Sequence, residues 1–316
     1  MSASLPTSRP RIVFVVDRPG WAHDRKTDAL ASALAARYEI VKVFQADLTE
    51  SHLESADAVL FYYWLQIDRV AHLRPLLQAR RESVLIGICS HYELEGAWRE
   101  PAFATLNDLA SAVFINNQLL YDEIAPQMAM PVHYTPNGVD TRFFRPPAAP
   151  SSPGPRLRVG WAGSLTNQTA AHRGVAEVIE PAVALVGGEL HLAAREQKWR
   201  TAAEMVDFYH SLDVYVCASR TEGTPNPCFE AAACGLPVVT TAVGNMPEFI
   251  RPGENGFFVE RRPEDMAAKL TLLRDDPELR ARMGAAARAS AETWDWRHQA
   301  LRYEPLFDRV LGRTKA

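Results

Sequence analysis

The stretch SRTEGTPNPCFEAAACGLPVVTTAVGNMPE, Ser219–Glu248, decides how this chain is read. The apolar residues Val214–Ala218 precede it and predict a strand. Arg220–Asn226 then reads as a loop stiffened by Pro225. Asn226 suits a helix N-cap and Pro227 the first helical position. A short helix over Pro227–Cys234 follows, with Gly235 placed to stop it. Pro237–Thr241 resumes a strand. The segment is a strand–loop–helix–strand unit, the repeating element of a parallel α/β sheet.

The same alternation extends in both directions. On the amino-terminal side, Ile12–Val16, Ile40–Phe44, Ala58–Tyr62, Val84–Ile88, Val113–Ile115 and Val132–Thr135 read as short buried strands. Helical patterns such as Lys26–Arg37 and Ile67–Arg80 lie between them. Nearer the opening stretch, Leu157–Ala162, Leu190–Ala193, Val214–Ala218, Val238–Thr241 and Gly256–Val259 predict further strands, with helices over Ala202–Leu212 and Glu264–Leu273. Continuous rather than alternating apolar runs imply sheets covered on both faces. The segment RPPAAPSSPGP, Arg145–Pro155, has no periodicity and reads as a linker. The expected organisation is therefore two Rossmann-like parallel-sheet α/β domains facing a cleft: residues 1–146, a linker at 147–155, and residues 156–293. Residues 294–316 form a closing helical pattern that either completes the second domain or crosses back onto the first.

Two acids flank the loop–helix junction, Glu222 in the loop and Glu230 one turn or so into the helix. In open parallel sheets ligands bind at the carboxyl ends of strands, and a helix N-terminus favours an anion. Carboxylates beside such a site suit a ligand carrying both hydroxyls and phosphate, as a nucleotide sugar does. On spacing alone, a solvated loop glutamate and a glutamate favouring the helix dipole also describe the pair. Neither a GxxxxGK[ST] loop nor a GxGxxG after the first strand is present. A dehydrogenase is therefore set aside.

With 316 residues, 47% hydrophobic and 23% charged, each half can bury a core. A net charge of −4 argues against nucleic-acid binding. Cys89, Cys217, Cys228 and Cys234 lack metal spacing and are expected as reduced core thiols. Met1–Arg11 is polar and proline-containing, unlike a signal peptide, and no apolar run approaches the roughly 20 residues of a membrane span. A cytoplasmic location is expected, with peripheral contact at the inner face of a membrane as an option. The stretch around Trp64–Leu76, with Arg69, Arg74, Arg80 and Arg81, reads either as a basic amphipathic surface for a lipid-linked acceptor or as a helix packed on its own sheet.

Glu222–Glu230, EGTPNPCFE, resembles the E-x7-E motif of the retaining glycosyltransferases of family 4, whose fold is GT-B. TPNGVDTRFFRP (Thr135–Pro146), RVGWAGS (Arg158–Ser164) and the WDW that begins at Trp294 resemble other segments of that family. The resemblance covers most of residues 135–300 and the first 130 only in outline. It implies transfer of a sugar from a nucleotide-diphosphate sugar to an acceptor hydroxyl, in glycan, polysaccharide or glycolipid biosynthesis. The acceptor would be a glycan, lipid-linked or small molecule. By resemblance Glu222 contacts the donor sugar and Glu230 the ribose hydroxyls, while the backbone of Gly223, Thr224 and Pro225 lies close to the sugar.

The family works without a cofactor or DxD-bound metal and neutralises the diphosphate with an Arg and a Lys. Here Ser164 stands where the Arg is expected, so Arg173, Arg195 and Lys198 are the candidate cations. Gly20 resembles the glycine of the loop after the first strand. His91 resembles a histidine that contacts the transferred sugar; His23 and Asp24 are weaker candidates. Arg220 is a candidate partner of Glu222, and Asn245 and Glu248 either border the site or shape the turn. A non-catalytic nucleotide-sugar binder, a GT-B-fold epimerase and a phosphorylase are the alternatives.

Overall fold

The computed structural model describes residues 9–149, 154–166 and 170–313. Residues 150–153 of the expected linker, and 167–169 of the loop between Ser164 and His172, lie outside the described residues. Packing divides the chain into two compact units. One is Met1–Asn137 with Trp296–Ala316, and the other is Gly138–Asp295.

Six strands build the first unit: β1 (Arg11–Val16), β2 (Glu39–Phe44), β3 (Ala58–Phe61), β4 (Val84–Ile88), β5 (Ala112–Ile115) and β6 (Val132–Tyr134). They form one parallel sheet in the order β2-β1-β3-β4-β5-β6. Val13, Val15, Val59, Phe61, Val84 and Ile86 pack into one apolar cluster, and Ile12, Phe14, Val16, Ala58, Leu60 and Leu85 into another. Successive side chains on a strand point to opposite faces. Burying both faces is why the strands read as unbroken apolar runs.

The second unit holds β7 (Arg158–Gly163), β8 (Glu189–Ala194), β9 (Val214–Cys217), β10 (Val238–Thr240) and β11 (Gly256–Phe258). Its parallel sheet has the order β11-β10-β9-β7-β8. The same division recurs, with Val214, Val216 and Val239 in one cluster and Tyr215, Cys217 and Val238 in the other. In each unit the chain runs outward from the first strand, then returns to that strand's other side. The reversal falls between β1 and β3 and between β7 and β9. At such a reversal the loops leaving the carboxyl ends diverge and leave a crevice.

Several helices depart from the sequence reading. The pattern over Ile67–Arg80 breaks into Gln66–Arg69, a 3-10 turn and Arg74–Ala79. Pro75 has no N–H to donate and its ring opposes the carbonyl four residues back, so one continuous helix cannot pass through. Trp64, Ile67, Val70, Leu73 and Leu77 are buried in the core beside β3 and β4, which places this face against its own sheet. The first helix forms over Ala22–Leu34, four residues earlier at its start than the periodicity predicts. The Gly20 N–H on Asp24 Oδ2 at 2.6 Å and the Arg25 N–H on the Trp21 carbonyl at 3.1 Å start the turn early.

The closing pattern splits at Trp296–Gln299, Ala300–Tyr303 and Glu304–Val310, with Pro305 entering the last piece. Ala300, Tyr303, Leu306 and Phe307 fill the core face formed by Ile12, Phe14 and Leu60 in the first unit. Gly138–Pro146 packs with the second unit, ahead of the linker where the sequence reading divided the chain. Val139 bridges Asp295, the Thr141 N–H donates to Asp295 Oδ2 at 3.1 Å, and Phe144 is edge-on to Tyr209. Among the described residues no helix is long and apolar enough to cross a membrane.

The helix of the opening stretch spans Asn226–Ala233. Pro225 holds the cap position and Asn226 is the first helical residue, so both predicted start residues shift inward by one. The Asn226 N–H donates to the Thr224 carbonyl at 2.9 Å, which tightens the entry. Gly235 stops the helix at φ 84°, with its N–H on Ala232 and the Leu236 N–H on Ala231. The helix Pro277–Thr293 covers this element. Arg288 Nη1 lies 2.9 Å from the carbonyl of Ala233, at the end of the short helix. A Cβ at Gly284 would stand 2.2 Å from the Gly235 carbonyl oxygen. Gly284→Ala should therefore push the two helices apart and lower stability by about 1–3 kcal/mol, read as a shift in the urea midpoint at unchanged slope.

Candidate functional site

Glu222 leaves the carboxyl end of β9, at the reversal in the second unit's sheet. Its Oε1 accepts the Ser219 hydroxyl at 2.8 Å and forms an ion pair with Arg173 Nη1. Arg173 comes from a different segment, the short helix Ala170–Arg173 that follows β7. Backbone contacts knit these segments together. The Arg220 N–H donates to the His172 carbonyl at 3.0 Å. His172 Nε2 lies 2.7 Å from the Thr221 carbonyl. A carbonyl only accepts, so His172 carries its proton on Nε2. Arg261 donates to the carbonyls of Ala171 and Ala218, one on each segment. Thr241 Oγ1 donates to the Ser219 carbonyl at 2.8 Å and ties β10 into the same corner. Arg173 is thus the partner of Glu222, in the place the sequence reading offered to its neighbour Arg220.

The turn after Arg173 needs glycine. Gly174 has φ 69°, and a Cβ there would meet the Ala218 carbonyl oxygen at 2.8 Å and Arg261 Nη2 at 3.0 Å. Gly223 is buried and Gly244, at φ 53°, sits against its carbonyl; a Cβ on Gly244 would stand 2.5 Å away. That approach brings Thr224 Oγ1 to Asn245 Oδ1 at 2.6 Å, while Asn245 Nδ2 donates to Glu248 Oε1 at 3.2 Å. Asn245 therefore braces the Glu222 loop directly and Glu248 braces Asn245. Pro225 is buried at the helix start. One turn along, Glu230 Oε2 accepts the Tyr209 hydroxyl at 2.7 Å. Burial pushes the Tyr209 hydroxyl well above its usual range, so it keeps its proton and remains the donor.

The other candidate cations are occupied elsewhere. Lys198 is exposed and pairs with Glu204 at 2.6 Å. The Arg195 guanidinium lies 5.8 Å from the Trp199 ring centroid, while its backbone N–H donates to the Gly163 carbonyl at 3.0 Å. Ser164, at the end of β7, donates to Glu196 Oε1 at 2.5 Å. The structure brings Arg173 and Glu222 together. It puts Ser164 beside Glu196, a residue the sequence reading did not single out.

His91 and Gly20 belong to the first unit. Gly20, at φ 74°, directs its N–H at Asp24. His23 stacks on Tyr62 with centroids 4.5 Å apart and an interplanar angle of 8°, and its Nδ1 lies 3.5 Å from Asp17 Oδ1. Burial opposes ionisation of Asp17, but the hydrogen bond and charge of His23 hold its carboxyl below the usual range. His91 begins the turn after β4, with Nε2 3.4 Å from Glu123 Oε2. Beneath it Glu93 is buried, and its Oε1 accepts the Cys89 N–H at 2.9 Å. Burial pushes this carboxyl up to about 8. Lys26 is also buried, donating to Asn137 Oδ1 at 2.6 Å with Tyr62 and Tyr303 rings 5.2 and 5.5 Å away.

Sequence reasoning passed over Lys26, Glu93, His172, Ser219 and Arg261. Each looks in the sequence like an ordinary helix or loop residue, and only its tertiary partners set it apart. All four cysteines are free, and Cys217, Cys228 and Cys234 are buried. Among the described residues no group of three His, Cys, Asp or Glu is placed to hold a metal ion.

Residues 197–290 match the family model for glycosyl transferases group 1. The D-inositol 3-phosphate glycosyltransferase of Thermomonospora curvata is 40% identical over 93 residues, 29% of this chain and 22% of that protein. The enzyme of the same name from Streptomyces griseus subsp. griseus is 41% identical over 93 residues, 29% of this chain and 20% of its own length. The chain thus spans only about a fifth of these relatives. Among solved structures, sucrose-phosphate synthase from Thermosynechococcus elongatus superposes with a TM-score of 0.74 at 16% identity, covering 97% of this chain and 100% of that one. Anabaena HepE in complex with UDP and glucose gives 0.70 at 15% identity, over 95% and 100%. The fold, two parallel-sheet α/β domains, is that of GT-B glycosyltransferases.

Two outcomes follow from the geometry. Gly174→Ala combines a left-handed φ with a clash against backbone, so it should cost about 1–3 kcal/mol of stability, measured by urea denaturation. Glu93 keeps its proton in the folded state up to about 8, whereas the unfolded chain releases it near 4.5. The unfolded state then binds fewer protons, so stability falls as pH rises from about 4.5 to about 8, by at most about 1.4 kcal/mol per pH unit. Glu93→Gln should flatten that slope in urea melts across the range, and an unchanged slope would remove Glu93 as its source.

Proposed function

We propose that the protein is a retaining, metal-independent glycosyltransferase that moves a sugar from a nucleoside-diphosphate sugar to an acceptor hydroxyl on a glycan, lipid-linked or small molecule. The observation that carries this reading is the meeting of Arg173 and Glu222 at the sheet reversal, with Glu222 inside the segment, residues 197–290, that matches group 1 glycosyl transferases. Glu222 accepts hydrogen bonds from hydroxyls of the donor sugar, and Glu230 from those of the ribose. Between them the positive end of the Asn226–Ala233 helix dipole and the guanidinium of Arg173 take the diphosphate. Negative charge grows on the leaving diphosphate as the glycosidic bond breaks, so a fixed cation there lowers the barrier. His91, at the end of β4, is proposed to contact the transferred sugar, and the loop at Gly20 to line the site. Lys198 ranks below Arg173 as a phosphate cation because its ion-pair partner is Glu204 and not Glu222. UDP is the first nucleotide to test, since it is bound in a structure with the same fold.

Calorimetry against UDP in the presence of a chelator tests the reading. Glu230→Ala should weaken UDP by about tenfold, the scale of a lost charged hydrogen-bond pair. Glu222→Ala should reduce sugar release from the donor more than it reduces UDP affinity. Retention is checked by the anomeric configuration of the product. Binding without turnover for any acceptor would instead support a non-catalytic nucleotide-sugar binder.

A further inference from the structure

Arg261 lies outside every role assigned so far. It follows β11, in the paired arginines Arg261-Arg262, and its guanidinium reaches three groups on two segments. Nε donates to the Ala218 carbonyl at 2.9 Å. Nη2 donates to the Ala171 carbonyl and lies 2.8 Å from Glu177 Oε2. Ala218 ends the β9 run that leads to Glu222, and Ala171 stands two residues before Arg173. Glu177 follows Gly174 on the wide turn Val175–Ile179.

This corner needs an outside donor. The helix Ala170–Arg173 ends at a left-handed glycine, and a π-type turn follows at once. Carbonyls at a helix end have no partner within the helix, and Gly174 turns the chain so that Ala171 faces the end of β9. A guanidinium presents several N–H donors in a rigid plane and can serve two carbonyls and a carboxylate together. An ammonium offers donors from one atom only.

We propose that Arg261 is a positioning residue for the donor site. It fastens the turn that carries Arg173 to the strand end that carries Glu222, and so holds the Arg173 guanidinium where the diphosphate departs. The inference rests on the reading of Arg173 as the phosphate cation. Arg261 itself touches no donor atom; it acts through Arg173.

A double-mutant cycle on the full chain tests this. UDP and UMP affinities are measured by calorimetry for the unaltered protein, Arg173→Ala, Arg261→Gln and the double variant. UDP differs from UMP by the phosphate that Arg173 would neutralise. Arg173→Ala should remove most of the preference for UDP, about tenfold or more. Arg261→Gln should remove most of the same factor, and the double variant should be no worse than Arg173→Ala. Arg261→Lys should restore part of the preference. Independent losses that multiply, or an unchanged UDP preference in Arg261→Gln, would overturn the proposal. Amide exchange supplies a readout free of nucleotide. The Arg220 N–H, bonded to the His172 carbonyl, should exchange faster in Arg261→Gln, and unchanged exchange would sink the anchoring. If the unaltered protein binds neither nucleotide while exchange responds, the anchoring stands and the donor reading falls.

Discussion

Two carbonyl oxygens, those of Ala171 and Ala218, need donors at a corner where neither helix nor sheet supplies them, and Arg261 meets both. The rest of the candidate site depends on that junction. Through it the turn with Arg173 registers against the end of β9. Arg220 N–H and His172 Nε2 then close further hydrogen bonds across the same seam, and Arg173 meets Glu222. Backbone bonds fix the frame, and the ion pair is its consequence. The polar groups at the seam sit where the sheet reverses between β7 and β9, the point at which loops leaving the carboxyl ends of a parallel sheet diverge.

Two carboxylates of the second unit have acquired different surroundings. Glu222 sits against a guanidinium and a serine hydroxyl, with its charge balanced locally. Glu230 sits one helical turn away against a buried tyrosine that can only donate to it at neutral pH. One carboxylate therefore shares its charge with a cation, and the other accepts from a hydroxyl that stays protonated. The first unit shows another solution. Glu93 is buried, and burial outweighs the backbone N–H groups that bond its carboxyl, so it keeps its proton. Lys26 is buried against an amide oxygen and two aromatic rings.

Much of the fold was legible because the strands are buried on both faces. Ile12–Val16 and Val214–Ala218 carry apolar residues at every position, a pattern few other elements produce. Each strand that the apolar runs predict is present, with ends shifted by no more than one residue. Helices were less legible. Ile67–Arg80 has helical periodicity, yet Pro75 interrupts it, and the closing pattern breaks near Pro305 for the same reason. Local spacing was enough to single out Glu222, Gly223 and Glu230 about the loop–helix junction, and the structure puts that junction where the pattern predicts it, within one residue. It was illegible where a residue's meaning comes from a partner far along the chain, as with Arg261 and Ala171, ninety residues apart.

The sequence by itself determined the strands, the strand–loop–helix unit at Ser219–Glu248 and the placing of two acids about a helix start. These depend on short-range periodicity and on residues whose backbone preferences are intrinsic. Only the tertiary structure decided which of three cations meets Glu222, that Lys198 turns to Glu204 instead, and that Gly138–Pro146 and the segment from Trp296 join the units they do. Ion pairs and core contacts are chosen by proximity in space, and sheet order, not sequence distance, sets that proximity.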